Sequence, residues 1–192
     1  HAILPTVIQN FSKRYPNINF SIHDIPNEKI IEKVQEGIFE IGICFNPQMS
    51  DQLIFQPLFN EDFLALLPKG HALSSRKSIT WLELCSQPFV TLQSPSIIRK
   101  VIEQHCALHH IHLDLKVECH QISSLSHFTA YGMGVSAIPR HFKNFINLEQ
   151  NVLIEIEDND VQLPVGIIYK KDDELSNIST HFIETVLQHD FH

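Results

Sequence analysis

The chain lacks several features that mark whole classes of protein. Its longest apolar runs, residues 41–45 and 63–67, fall far below the about 20 residues of a membrane-spanning helix, so we predict no membrane association. It has only six glycines, and no predicted strand leads into a G-x-G-x-x-G turn or a Walker loop. The absence of such a loop argues against a bound nucleotide.

Cysteine is also scarce in the sequence. Cys44, Cys85, Cys106 and Cys119 are far apart in apolar segments and include no C-x-x-C pair. This density is too low for a disulfide scaffold, and the sequence does not open with the pattern of an export signal. We therefore expect reduced cysteines in a hydrophobic core and a cytoplasmic location.

Positive charge is in deficit as well. With 14 Lys and Arg against 22 Asp and Glu, the formal net charge is −8, the wrong sign for binding the phosphate backbone of a nucleic acid. The apolar fraction of 43% is enough to form a hydrophobic core, so the 192 residues should fold as one domain or as two small lobes.

Helical and strand-like patterns alternate along the chain. Apolar residues recur at helical spacing near residues 3–11, 30–34, 97–108, 125–128 and 178–187, with short apolar or alternating segments between them. Strands joined by helices imply right-handed crossovers and mainly parallel sheets. Since the strand-helix-strand unit occurs on both sides of residues 84–88, we predict an α/β fold with two lobes.

Local signals predict where some elements begin and end. Thr80 and Glu83 have the spacing of a capping box at the start of a short helix. Asn27 should cap the second helix, and Gly37 should end it in the left-handed conformation. Residues 17–23 alternate between apolar and polar side chains, which predicts an exposed edge strand.

No catalytic constellation stands out. The sequence lacks a G-x-S-x-G elbow, and the carboxylates at 61–62, 158–160 and 172–174 occur in polar segments typical of solvated turns. Gly132-Met133-Gly134 lacks the third glycine of a phosphate loop and is better explained as a tight helix-to-strand turn. We therefore predict that the chain is not an enzyme.

Thirteen histidines are unusual for this length, and some of them suggest a metal site. The group is His105, His109, His110, His112 and His120, with Cys106 and Cys119 nearby. Residues four apart on a helix share a face, but no H-E-x-x-H motif occurs and the segment has the polar character of a solvated helix end. We interpret most of these histidines as surface residues and predict neither a metal nor another cofactor.

Serines ahead of two predicted helices are better candidates for a binding site. Ser94 and Ser96 precede one helix and Ser123 and Ser124 another, each pair following a predicted strand. Hydroxyls and the N–H groups of helix starts suit a small anion or a carboxylate, for which Arg99 is a candidate cation. Helix capping alone, with Ser123 or Ser124 as the second cap, is the alternative explanation.

Several short motifs follow one another at characteristic spacing over nearly the whole chain. They are Leu4-Pro5 with Phe11 and Tyr15-Pro16, Glu36-Gly37 with Ile41-Gly42-Ile43, Leu58-Phe59 with Glu61-Asp62, Leu67-Pro68-Lys69-Gly70-His71-Ala72-Leu73, and Gly132-Met133-Gly134-Val135 with Ile138-Pro139. In order and spacing this set resembles the effector-binding domain of LysR-type bacterial transcriptional regulators. Glu40 and Ala72 depart from the usual residues of that family, without consequence for the expected fold.

The resemblance implies a fold like that of periplasmic binding proteins. Each of two lobes would contain a mainly parallel sheet flanked by helices, and two strands would cross between the lobes. Lobe I would comprise residues 1–87 and 161–192, and lobe II residues 88–160. The winged helix-turn-helix with which family members contact DNA has no counterpart in this sequence, so DNA would be bound only through that missing part.

The resemblance also implies a small-molecule effector, bound in a cleft between the lobes, and assembly into a homodimer or homotetramer. By position, the effector contacts would be His1, Ala2, Phe45, Asn46, Ser94, Ser96, Ile122, Ser123 and Ser124. The expected function is effector sensing and oligomerisation that control DNA binding or transcription by the intact regulator. The alternative is a solute-binding protein of a transporter, which would share the two lobes.

Overall fold

Helices and strands are both spread along the chain, and they alternate strictly, as the sequence predicted, between residues 78 and 139. The computed structural model describes residues 3–45, 51–157, 160–171, 174–189 and 191. In chain order the elements are α1 (Ile3–Arg14), α2 (Asn27–Gln35), β1 (Gly42–Phe45), β2 (Leu53–Glu61), β3 (Phe63–Pro68), β4 (Ser78–Ile79), α3 (Trp81–Cys85), β5 (Phe89–Leu92), α4 (Ile97–Leu108), β6 (Leu115–Cys119), α5 (Ile122–Ala130), β7 (Ser136–Pro139), a 3-10 helix (Arg140–Phe145), β8 (Asn151–Ile156), β9 (Leu163–Lys170) and α6 (Asn177–Leu187). Within the described ranges, no helix is long and apolar enough to cross a membrane.

The chain divides into two compact units and passes between them twice. Unit 1 consists of His1–Asn60 and Pro164–His192, and unit 2 of Glu61–Leu163. The predicted boundary at residue 87 differs from this division, because β3 and β4 pair with β8 and so place residues 61–87 in unit 2. The return to unit 1 lies within three residues of its predicted position.

In unit 1, helices cover both faces of a sheet with the strand order β1-β9-β2. Successive side chains of a strand point to opposite faces, so neighbouring residues of β9 enter different parts of the core. Ile167 packs with Val7 of α1 and Val186 of α6, whereas Ile168 packs with Val34 of α2. Helices α1 and α6 therefore cover one face of the sheet and α2 covers the other.

Unit 2 contains a four-stranded sheet of order β4-β8-β3-β7 and the pair β5-β6. Strands that a helix connects are parallel: β5 pairs with β6, and Phe89 of β5 bridges to Val135 ahead of β7. By contrast, β3 is antiparallel to both β7 and β8, and β1 is antiparallel to β9 in unit 1. Parallel and antiparallel pairs therefore occur together in unit 2, where β4 is also parallel to β8. The expectation of mainly parallel sheets does not hold for β1 and β3, because the parallel rule applies to strands joined by a helix.

Two of the predicted helix ends are confirmed. The N–H of Glu83 donates to Oγ1 of Thr80 over 3.1 Å, and the N–H of Thr80 donates to Oε2 of Glu83 over 2.9 Å. These reciprocal bonds form the capping box that starts α3. Gly37 has a φ of +71° and donates its N–H to the carbonyl of Val34, which ends α2 as expected.

The predicted cap of α2 is wrong. Asn27 is the first residue within the helix, and the N-cap position is held by Pro26 without a side-chain hydrogen bond. Oδ1 of Asn27 instead accepts a hydrogen bond of 2.8 Å from the N–H of Phe45. The asparagine side chain therefore ties the start of α2 to the end of β1 rather than capping its own helix.

Residues 17–23 do not form the predicted strand, since the structure has coil throughout the stretch between α1 and α2. Ile22 is 60% exposed. Phe20 packs against Phe11 of α1 and Phe182 of α6, with ring centroids 5.8 and 5.6 Å apart. The alternation of apolar residues thus reflects packing of an extended segment on two helices and not pairing within a sheet.

The four cysteines are buried and none of them forms a disulfide, as predicted. Burial raises the pKa of the Cys44 thiol to about 12. Because the thiolate is the reactive form of cysteine, burial keeps this thiol unreactive near neutral pH.

Arg140 ties three segments of unit 2 together. Its guanidinium donates to both carboxylate oxygens of Asp62, over 2.7 and 2.8 Å, and to both of Glu155, over 2.9 and 2.7 Å. These carboxylates raise the pKa of Arg140, and the guanidinium lowers the pKa of Glu155. The network joins the start of β3, the end of β7 and the end of β8.

We expect Arg140→Ala to lower the free energy of unfolding by about 1–2 kcal/mol, since paired bidentate contacts of arginine are stronger than ordinary surface ion pairs. Arg76, which forms an ion pair with the single carboxylate of Glu83, provides the matched control. Arg76→Ala should cost less than about 1 kcal/mol. Urea unfolding of the two variants measures both values. Equal losses in the free energy of unfolding would contradict a larger stabilising effect of the Arg140 network.

Candidate functional site

A parallel pair of strands brings two helix starts to one edge of unit 2. Leu92 of β5 is paired with Cys119 of β6, and the N–H of Gln93 donates to the carbonyl of Cys119 over 2.7 Å. Ile97 and Ile122, the first residues of α4 and α5, follow these strand ends closely. Since the carboxyl ends of parallel strands meet at the same edge, both helices begin there, where α/β proteins commonly bind ligands.

The start of α4 is capped by Ser96. This residue has an extended backbone, with a φ of −145°, and its Oγ accepts a hydrogen bond from the N–H of Arg99. At 3.5 Å this bond is long, and therefore weak. Ser94 is exposed, and its hydroxyl has no hydrogen-bond partner among the described residues. Ser96 thus has a structural role that Ser94 does not share.

The start of α5 differs from the prediction. The N-cap residue is Gln121, which makes no side-chain capping bond, so neither Ser123 nor Ser124 is the cap. Both serines lie inside the first turn because the helix begins one residue before Ser123. Ser123 is within 3.5 Å of the Gln121 amide oxygen, whereas the half-buried Ser124 hydroxyl has no partner in the part of the chain that the structure describes.

Five of the predicted effector contacts therefore lie at one edge of unit 2: Ser94, Ser96, Ile122, Ser123 and Ser124. Phe45 belongs to unit 1, where it ends β1 and donates its N–H to Asn27. The remaining three predicted contacts, His1, Ala2 and Asn46, lie outside the described residues.

Arg99 is not available as the cation suggested by the sequence. Its Nε donates to Glu103 over 2.6 Å, and its Nη1 donates to Glu118 over 2.9 Å. These two carboxylates raise the pKa of Arg99. Recognition of an anion at this edge would therefore depend on hydroxyl groups and on the partial positive charge of the helix starts.

Two features of unit 2 were missed in the sequence. Gln121 occupies the N-cap position of α5, and its only sequence signal is a polar residue directly before the helical pattern. His105 belongs to the histidine group that was interpreted as mostly solvated, but it is only 8% exposed, with its ring 5.2 Å from that of Trp81. Helical spacing could have revealed its burial, because His105 follows Ile98 and Ile102 on the buried face of α4.

The sequence of the whole chain matches one family. Residues 1–190 correspond to the family described as the LysR substrate binding domain. The chain belongs to this family. One relative is YybE of Bacillus subtilis, an uncharacterised HTH-type transcriptional regulator, which is 23% identical over 190 residues. These residues cover 98% of this chain and 64% of YybE. The LysR domain thus spans about three-fifths of the length of its curated relatives.

Solved structures show the same fold as the LysR domain. The effector binding domain of QuiR in complex with shikimate has a TM-score of 0.87 at 19% identity, covering 96% of this chain and 88% of that one. The regulatory domain of Synechocystis CcmR in complex with 2-PG has a TM-score of 0.85 at 18% identity, covering 96% and 89%. The predicted fold class, an α/β fold of the periplasmic-binding-protein type, is confirmed.

The different roles of the serines lead to a prediction about stability. Because the capping bond is long, Ser96→Ala should lower the free energy of unfolding by about 0.5–1 kcal/mol, the lower part of the range for losing a helix cap. Ser123→Ala should change it by less than about 0.5 kcal/mol, because an exposed residue within the first turn caps nothing. Urea unfolding would contradict this assignment if Ser123→Ala were the more destabilising substitution.

Proposed function

We propose that this LysR domain senses a small-molecule effector and mediates oligomerisation in a transcriptional regulator, and so controls DNA binding or transcription by the intact protein. The observation that carries the proposal is the pair of helix starts at the β5-β6 edge, in a chain that belongs to this family. The hydroxyls of Ser94 and Ser124 have no other partner among the described residues, which makes them suitable for a ligand.

The effector is proposed to be a small anion or a carboxylate. Two helix starts contribute partial positive charge at the same edge, and their N–H groups and hydroxyls are donors for anionic oxygens. A guanidinium is not required, which accords with the pairing of Arg99 to two carboxylates. The similar domains of QuiR and CcmR bind shikimate and 2-PG, which supports a small-molecule ligand in general.

Regulation would follow from differential binding. An effector that binds one arrangement of the protein better than another shifts the population toward that arrangement by the ratio of its two affinities. Contact with DNA is assigned to another part of the intact regulator, because this domain carries a formal charge of −8 and its relative YybE is of the HTH type. The proposed function is regulatory rather than enzymatic, and the proposed location of the protein is the cytoplasm.

A solute-binding protein of a transporter is the competing interpretation of the same fold. The sequence relatives favour a regulator, since YybE is named as a transcriptional regulator and matches 98% of this chain. We therefore retain the regulatory function as the proposal.

The effector site is tested with a double substitution. A thermal-shift screen of small carboxylates and phosphate esters should find a compound that raises the melting temperature, since a ligand of the native state stabilises it by mass action. Ser94→Ala combined with Ser124→Ala should weaken binding of that compound by about 1–3 kcal/mol in calorimetry, the range for lost hydrogen bonds to a buried partner.

Ser75, an exposed serine in a turn of the same unit, provides the matched control. Ser75→Ala should leave the affinity unchanged. If the double substitution also left it unchanged, the β5-β6 edge would not be the binding site.

Oligomerisation is tested separately by light scattering. The proposed homodimer or homotetramer should give two or four times the chain mass of 22.1 kDa. Exposed apolar side chains, including Ile22 at 60% and Tyr131 at 81% exposure, are consistent with surfaces that a partner covers. A mass of one chain at every accessible concentration would contradict self-association.

A further inference from the structure

Three potential metal ligands converge at the far end of α4 from the candidate effector site. His105 and His109 lie one helical turn apart, and Asp160 comes from the segment ahead of β9. Nδ1 of His105 is 3.4 Å from Oδ1 of Asp160, and Nε2 of His109 is 3.9 Å from Oδ2. One ligand atom from each residue lies within 4.8 Å of those of the other two.

These separations approach those of a metal centre. Zinc binds imidazole nitrogen and carboxylate oxygen at about 2.0–2.2 Å, so two ligand atoms at a tetrahedral angle are about 3.3–3.5 Å apart. The His105–Asp160 distance already has this value. His109 and Asp160 are 55% and 63% exposed, so side-chain rotation can bring their ligand atoms closer without disturbing the core.

The surroundings also favour a cation. His109 is the C-cap of α4, and the C-terminus of a helix carries partial negative charge. The Asp160 carboxylate adds a full negative charge. His105 is held against Trp81 in the core and its ring centroid is 4.4 Å from that of His109, so one ligand is fixed in place and the other two remain accessible from solvent.

We propose that His105, His109 and Asp160 bind one divalent transition-metal ion, of which zinc is the best match. Two imidazoles and one carboxylate are the ligands that zinc takes in sites with an open fourth position, whereas magnesium prefers oxygen ligands in an octahedron. The ion would clamp the end of α4 to the segment ahead of β9. Along the helix axis, His105 and His109 are about 12 and 18 Å from the start of α4, at a rise of about 1.5 Å per residue.

The simpler interpretation of the same contacts is a pair of histidine–aspartate interactions that bind no ion. A metal titration distinguishes the two. The 192-residue chain, stripped of metal with a chelator and dialysed, is titrated with zinc chloride and separately with magnesium chloride, using calorimetry and thermal unfolding. We expect one tight equivalent of zinc and a rise in melting temperature, with no effect of magnesium.

Substitution of the two exposed ligands locates the site. His109→Ala and Asp160→Asn should each weaken zinc binding at least about tenfold and remove the zinc-dependent rise in melting temperature. His112→Ala removes an exposed histidine just beyond α4 and should keep both properties. Circular dichroism of the metal-free variants confirms that each is folded.

The proposal is overturned if the native chain binds no zinc. It is overturned equally if zinc binding survives in His109→Ala and Asp160→Asn, because the ion would then be held by other histidines. Neither result bears on the proposed effector site. Ser94 lies just ahead of α4, at the opposite end of that helix from the metal ligands, and Ser124 lies in the first turn of α5.

Discussion

The candidate binding site of unit 2 depends on the fact that β5 and β6 run in the same direction. If the two strands were antiparallel, α4 and α5 would begin at opposite edges of the sheet, and the serines ahead of them would be separated by the length of a strand. Parallel pairing of Leu92 with Cys119 brings the two helix starts together. The partial positive charges of both helix starts then act on the same small region. One helix alone would contribute only half of this charge.

Much of the fold is readable from the sequence because the strongest patterns are periodic and local. The apolar spacing of α4 and α6 and the unbroken apolar run of β3 each favour one type of element. The alternation in residues 17–23 was misleading because an extended segment shows the same period whether it pairs in a sheet or packs on helices, as Phe20 does. Local patterns also did not predict the direction of the strands, because β3 pairs with β7 and β8, which are distant from it in the sequence.

The candidate site was only partly predictable, for a related reason. Residue types place Ser94 and Ser96 at a helix start, but which side chains are available to a ligand depends on their spatial neighbours. Arg99 appeared suitable until its pairing with Glu118, nineteen residues away, was visible. The proximity of Asp160 to His105 could not be predicted from the sequence, since residues fifty-five positions apart share no periodic pattern. A site formed by residues distant in sequence can be recognised only in the folded structure.

The position of β9 in its sheet has a consequence for the order in which the protein folds during synthesis. Unit 2 is one continuous segment, whereas β1 and β2 of unit 1 are separated by β9, which leaves the ribosome after all of unit 2. The first sixty residues therefore cannot complete their own sheet when they emerge. Unit 2 is able to fold first, whereas residues 1–60 have to wait for residues 164–192, a period in which their apolar strands are exposed to chaperones and to aggregation.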